Sequence, residues 1–308
     1  MSHRSSTFLN AAGATSVVLA AVACSGRAQA QACCAGSGAV TPGRLALHES
    51  ALVGALAKVG TITGHFKGDG EYVASPAGAN ELDFEQDLFG ALRVADRAQV
   101  ALLVPFVEVW RKTQGQSQTE GGVGDVNLSF RYDFTLAGES FVIPGVSALA
   151  GITFPTGKPP EEEGSTGTGA YQFNLGLAIE QTFGPWLINA TGVVAQRTAR
   201  TVAFGPSSIH QRLAPQWTAL AACAYTFATD VAVALSFSYA IEGNATIDGA
   251  NIDGTARRVA TVTLSGVLPL SDIWRLQGGF FDDLPISQVG VGAPASAGLS
   301  ITLVRSWI

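Results

Sequence analysis

After residue 50, apolar and polar side chains alternate along most of this 308-residue chain. Alternation with a period of two is typical of a strand that has one apolar and one polar face. The pattern recurs in twelve segments, and the last of them runs to Ile308. The predicted strands are 50–65, 81–93, 98–112, 122–134, 142–155, 169–183, 186–200, 213–227, 231–243, 257–268, 274–284 and 296–308.

The connections between these segments alternate between short and long. The short ones are 94–97, 135–141, 184–185, 228–230 and 269–273, and the long ones are 66–80, 113–121, 156–168, 201–212, 244–256 and 285–295. An even number of strands joined in this way is typical of outer-membrane barrels, whose short turns face the periplasm and whose long loops face outwards. The pattern therefore predicts an all-β fold, a transmembrane up-and-down antiparallel β-barrel of about 12 strands.

The segment 169–183 shows the two faces clearly. One face carries Tyr171, Phe173, Leu175, Leu177, Ile179 and Phe183, and the other carries Gln172, Asn174, Gly176, Ala178, Glu180 and Thr182. Strands of soluble proteins usually have about five or six residues. Segments twice that length favour a tilted membrane strand over a soluble β-sandwich.

The composition agrees with a barrel. Charged residues make up 14 % of the chain, against about 25 % in an ordinary soluble domain. Mean hydropathy is positive, yet no uninterrupted apolar run after the N-terminus reaches the length that a transmembrane helix requires. Apolar residues spread over alternate strand positions explain both observations.

The N-terminus has the pattern of a secretory signal peptide over residues 1–30. Arg4 precedes an apolar run from Ala11 to Ala23, and Ala28-Gln29-Ala30 has the spacing of a cleavage site. A lipoprotein signal ending at Cys24 is the alternative. Residues 31–49, which carry no period, are expected to form a periplasmic lead-in or a segment inside the lumen, and 50–308 the barrel.

Charge and cysteines exclude several classes. Cleavage after Ala30 leaves 16 basic and 24 acidic side chains, a net charge of −8, which does not suit a nucleic-acid binder. Of the four cysteines, Cys33 and Cys34 are adjacent, and Cys223 stands alone in a strand. Without a C-x-x-C pair or clustered histidines, neither a metal nor another cofactor is expected. Whether Cys33 and Cys34 are modified or disulfide-bonded stays open.

Aromatic residues recur near the predicted strand ends, as in the interfacial girdle of membrane barrels. Tyr132, Phe183 and Trp186 flank predicted periplasmic turns, and Trp307 is the penultimate residue. We expect contact with outer-membrane lipid and lipopolysaccharide, and recognition of the last strand by the outer-membrane assembly machinery.

Charged and amide side chains on the polar faces are candidates for lining the lumen. They are Glu81, Asp83, Glu85, Asp87, Glu108, Asp125, Arg131, Asp133, Gln172, Asn174 and Glu180. Four of the acids alternate along segment 81–93 and would attract cations. Pairing of these acids with Arg93, Arg111 and Arg131 into a structural plug is the alternative, because like charges at alternate positions are costly without partners.

An outer-membrane enzyme is the main rival class. A catalytic histidine needs a nucleophile within reach and a second group that orients it. The four histidines are His3, His48, His65 and His210, and none is followed within a predicted strand by a serine two residues on. We therefore expect no catalytic residues.

The central part of the chain carries a series of short motifs. Gly122-Val123-Gly124-Asp125 precedes a strand ending in Arg131-Tyr132; the next strand closes with Phe154-Pro155-Thr156-Gly157, and Gly167-Thr168-Gly169 precedes Tyr171. This order resembles the outer-membrane transporter family of the meta-pathway of phenol degradation, whose members are similar in kind to channels for hydrophobic compounds. The motifs span about 65 residues and mark architecture more than substrate. The resemblance carries over no catalytic residue.

These observations predict a porin-like channel for passive uptake of small, hydrophobic or aromatic solutes. The solute would diffuse through a polar lumen or pass laterally through the wall. A structural or surface-interaction barrel with a filled lumen is the alternative. The substrate, the openness of the lumen and the oligomeric state stay undetermined by the sequence.

Overall fold

The computed structural model describes residues 43–76, 80–113, 116–140, 142–159, 165–204 and 207–308. Twelve long strands form the body of the molecule. They are β1 Ala51–Phe66, β2 Asn80–Ala95, β3 Ala98–Thr113, β4 Val126–Thr135, β5 Gly145–Phe154, β6 Gln172–Phe183, β7 Trp186–Arg197, β8 Gln216–Thr226, β9 Ala232–Glu242, β10 Arg257–Pro269, β11 Trp274–Asp283 and β12 Pro294–Trp307. No helix among the described residues is long and apolar enough to cross a membrane.

The sheet is a closed antiparallel barrel. Each strand pairs with its neighbours in chain order, and β12 pairs with β1 from Ala51 opposite Trp307 to His65 opposite Pro294. Closure leaves the barrel without a free edge, which removes the unpaired N–H and C=O groups that a lipid environment cannot satisfy. The predicted number, order and direction of strands are confirmed.

The outer surface is apolar and the inner surface is mixed. On β6, Leu175 is 63 % exposed and Leu177 58 %, whereas Ala178 and Glu180 between and beyond them are buried. A soluble protein rarely leaves so continuous an apolar face in water. The outer face of the barrel is therefore suited to contact with lipid.

Three connections predicted as loops contain short strands. Gln116–Val123 folds back on β3 and extends that hairpin beyond the barrel. Arg200–Phe204, Ser207–Arg212, Thr246–Ile247 and Ala250–Asn251 form a separate four-stranded sheet beside the long loops. Polar residues dominate these strands, so they lack the apolar alternation by which the barrel strands are recognised.

Residues Gly43–Ser50, the mouth segment, lie inside the barrel end that carries the short turns. Leu45 and Ala46 are buried, and Gly43 packs beside the side chains of Phe89 and Ala101. This arrangement matches the second of the two expectations for the lead-in. The predicted signal peptide, its cleavage site, and Cys33 and Cys34 lie outside the described residues.

Candidate functional site in the barrel lumen

The interior of the barrel holds a cavity of about 520 Å³. Polar residues from opposite walls line it, and the apolar residues Leu56, Leu103 and Leu149 cover part of its surface. The polar lining residues include Lys58, Glu85, Asp87, Gln99, Asp125, Asn127, Ser129, Arg131, Thr153, Gln172, Asn174, Gln216 and Thr218. Small-molecule sites commonly combine apolar surface with a few polar groups in this way.

The predicted acids of β2 share the inner face, and we call Glu81, Asp83, Glu85 and Asp87 the acid ladder. Glu81 accepts a hydrogen bond from Arg111 at 2.9 Å, and Glu85 accepts one from Lys58 at 3.2 Å. The two pairs reduce the repulsion between neighbouring carboxylates. Within the described part of the chain, Asp83 and Asp87 form no ion pair.

Glu108 does not belong to the lumen, and this prediction is corrected. It is aligned with Phe84 across the β2–β3 hairpin, and both residues lie on the outer face. The inner face of β3 is set by its pairing with β2, which aligns Gln99 with Arg93 and Arg111 with Glu81. Both faces of β3 are largely apolar, so alternation alone assigns Glu108 poorly.

Three of the predicted residues form a buried charged cluster near the short-turn end. Arg131 donates to Asp133 at 2.7 Å and to Glu180 at 3.3 Å. Asn189 donates to the same Glu180 oxygen at 2.9 Å, and Arg44 of the mouth segment also pairs with Glu180. With Glu180 only 2 % exposed, the cluster holds buried charges in mutual compensation, as buried ions require.

The mouth segment is fixed by polar contacts that the sequence does not reveal. Glu49 is buried and pairs with Arg275. Arg93 donates to the backbone oxygens of Ala46 at 2.6 Å and Glu49 at 2.9 Å. Arg93 therefore binds backbone rather than the predicted acids. A charged residue just before the first strand is the only sequence signal for this anchor.

Gln172 and Asn174 lie together on the inner face of β6. The Gln172 amide donates to the Asn174 oxygen at 2.9 Å, and Arg197 donates to Gln172 at 2.8 Å. Arg197 also pairs with Glu242 at 2.8 Å. Arg197 and Glu242 were not predicted, although both stand at the ends of alternating segments.

Asp125 connects the motifs of the central region. Its carboxylate accepts hydrogen bonds from the Gly157 N–H at 3.0 Å and from the Thr168 N–H at 2.6 Å. The Thr156 hydroxyl donates to the Gly124 oxygen at 2.7 Å. Three stretches distant in sequence thus meet above the point where β3 changes its pairing partner from β4 to Gln116–Val123. The motif residues fix loops at the rim rather than form a reactive site.

The described residues contain no group of three or more His, Cys, Asp or Glu side chains that could hold a metal ion. Cys223 is a free, exposed thiol. The interior therefore offers hydrogen bonds and fixed charges to a solute.

A model of the family described as "Putative MetA-pathway of phenol degradation" matches residues 66–272. The search of curated proteins finds no match.

Solved structures share the barrel. An outer-membrane channel from Pseudomonas putida F1 matches with a TM-score of 0.71 and 19 % identity, covering 85 % of this chain and 97 % of that one. The transport unit of the autotransporter AIDA-I from Escherichia coli has a TM-score of 0.47 and 9 % identity, covering 86 % and 93 %. The TodX monoaromatic hydrocarbon channel mutant has a TM-score of 0.45 and 10 % identity, covering 84 % and 90 %. The first of these shows the fold.

Proposed function

Because this chain belongs to the phenol-degradation pathway family whose model spans two thirds of it, we propose that it is an outer-membrane channel for small solutes. The observation that carries the proposal is the closed barrel with an apolar outside and a cavity lined by polar groups on its inside. Uptake would be passive, because a channel of this kind needs only a concentration gradient across the membrane. Hydrophobic or aromatic compounds are the proposed solutes, on the basis of the family description alone.

The proposed location is the outer membrane, reached by export and signal cleavage near Ala30. The exposed apolar bands on strands such as β6 and β9 support residence in lipid. Lipopolysaccharide would surround the rim that carries the long loops, and β12, with Trp307 near its end, would be presented to the assembly machinery.

The polar lumen is the proposed route, and the mouth segment would be its narrowest part. The same observation favours the second candidate function, a barrel with a filled lumen. In that case the ion pairs of Arg44 and Glu49 would close the short-turn end permanently. The two readings differ in whether a solute passes.

The proposal includes no catalysis. Among the described histidines, the ring of His210 contacts a hydroxyl, that of Thr201 at 3.1 Å, on an exposed hairpin outside the barrel. No carboxylate in the described part of the chain forms an ion pair with that ring, so the orienting group that a catalytic histidine requires is missing there.

Two neighbouring residues on β4 provide a matched test of the route. Ser129 lines the cavity, whereas Leu128 is 42 % exposed on the outer face. Ser129→Trp would fill the lumen, and Leu128→Trp would add the same side chain towards lipid. Initial uptake of a labelled aromatic solute is measured in cells that express each folded variant at equal outer-membrane abundance.

We expect the wild type to raise uptake above that of cells without the protein, Ser129→Trp to abolish most of the increase, and Leu128→Trp to retain it. No increase with the wild type would favour the filled barrel. Equal uptake by both variants would contradict passage through the lumen.

A further inference from the structure

The acid ladder contains two kinds of carboxylate. The longer side chains of Glu81 and Glu85 reach the basic groups of Arg111 and Lys58. The shorter side chains of Asp83 and Asp87 alternate with them on the same face and reach no basic group among the described residues. A ladder that served only as a structural plug would pair every member.

Asp87 is the more buried of the two unpaired acids. It is 9 % exposed, and its Oδ1 atom is buried without a hydrogen-bond partner in the described structure. Its cross-strand neighbours are Leu56 on β1 and Pro105 on β3, whose side chains offer no donor. A buried acceptor without a donor costs free energy, and a solute that supplies an N–H group would recover it.

The surroundings of Asp87 determine what kind of solute fits. The cavity that it lines also exposes Leu56, Leu103 and Leu149. Its two basic lining residues are already engaged, Lys58 with Glu85 and Arg131 with Asp133 and Glu180. The unmatched charge is therefore negative and lies against apolar surface, which favours a cation with an apolar body over an anion.

We propose that Asp87 is a binding subsite for small primary amines, with the ammonium group donating to Oδ1 and the apolar body lying against the leucines. The proposal rests on the proposed function in that solutes enter this cavity. A charge-assisted hydrogen bond from an ammonium group is stronger than one from a neutral hydroxyl. The subsite would thus distinguish amines from alcohols of the same shape.

Binding is measured by titration calorimetry on the full-length protein in detergent micelles, with benzylammonium, benzyl alcohol and benzoate as probes. We expect benzylammonium to bind tightest and benzoate weakest. Asp87→Asn should weaken benzylammonium by about tenfold or more, because the charged acceptor is lost while the shape is kept. Benzyl alcohol should change by less than about threefold.

Asp83→Asn is the matched control, since it removes an unpaired acid from the same face of the same strand. The two acids are four residues apart, about 13 Å along the strand, so screening at 0.15 M salt leaves little direct interaction. Less than about a twofold loss is therefore expected for this variant. An equal loss in both variants would overturn the subsite, because the ladder would then act only as a general field.

A measurement on the wild type keeps the proposal testable even when Asp87→Asn does not fold. Benzyltrimethylammonium carries the same charge without an N–H donor, so it should bind more weakly than benzylammonium. Equal binding of the two cations, or of benzylammonium and benzyl alcohol, would refute the assignment. Binding without solute uptake would refute the channel and leave the subsite, and uptake without amine preference would do the reverse.

Discussion

A single position on β6 decides between lipid and lumen. Leu175 is 63 % exposed on the outer face, and Asn174 beside it lies inside, where it accepts a hydrogen bond from Gln172. Leu175→Arg should lower the free energy of unfolding by about 2–4 kcal/mol if it lies near the bilayer midplane. Asn174→Arg places the charge in a polar interior and should cost less. Urea unfolding in lipid vesicles measures both, and equal costs would contradict the register.

Side-chain facing was predictable wherever one face of a strand is polar. The acid ladder, Gln172 and Asn174 lie on the inner face because period-two alternation marks it. Glu108 was wrong because β3 is apolar on both faces, so that its parity is set by pairing with β2. The pair of Arg44 and Glu180 joins residues 136 positions apart, and no local pattern indicates such a contact.

The loops that carry the family motifs depend on one carboxylate. Asp125 binds the backbone at Gly157 and Thr168, and Lys158 follows directly in the chain. Asp125→Ala leaves these N–H groups without their acceptor and should raise the rate of trypsin cleavage after Lys158 about tenfold. Asp125→Asn, which keeps one acceptor oxygen, should show a smaller increase. Unchanged cleavage in the alanine variant would show that the loop is held by other contacts.

The mouth segment should limit the flow of ions. Replacing Arg44 and Glu49 together by alanine removes its pairs with Glu180 and Arg275, so the segment should leave the lumen more often. Single-channel conductance in planar bilayers is expected to rise. The control is Lys67→Ala with Glu71→Ala, which removes an exposed ion pair from the turn after β1. A rise of equal size in the control would contradict this role.

Strands and loops differ in how far the sequence describes them. Long alternating segments gave all twelve barrel strands, because lipid outside and polar groups inside impose the pattern over their full length. The polar hairpins Arg200–Phe204 and Ser207–Arg212 face no lipid, and nothing in their sequence separates them from loops. The position of the mouth segment follows from contacts with several strands and could not be derived from its own residues.

The barrel as a whole is predicted to be a channel with a negatively charged wall. Fixed carboxylates raise the local concentration of cations, and screening shortens their reach from about 10 Å at 0.1 M salt to about 3 Å at 1 M. Cation preference should therefore be strongest in dilute salt. Two members of the acid ladder have no basic partner among the described residues, so the wall keeps a net negative charge.

The reversal potential across a salt gradient in planar bilayers tests this account most directly. We expect discrete conductance steps from the wild type and a reversal potential that indicates cation preference. Replacing Glu81, Asp83, Glu85 and Asp87 by their amides should reduce that preference, and Glu108→Gln on the outer face should leave it unchanged. Absence of conductance in the wild type would contradict the channel, and an unchanged reversal potential in the fourfold variant would contradict the charged wall.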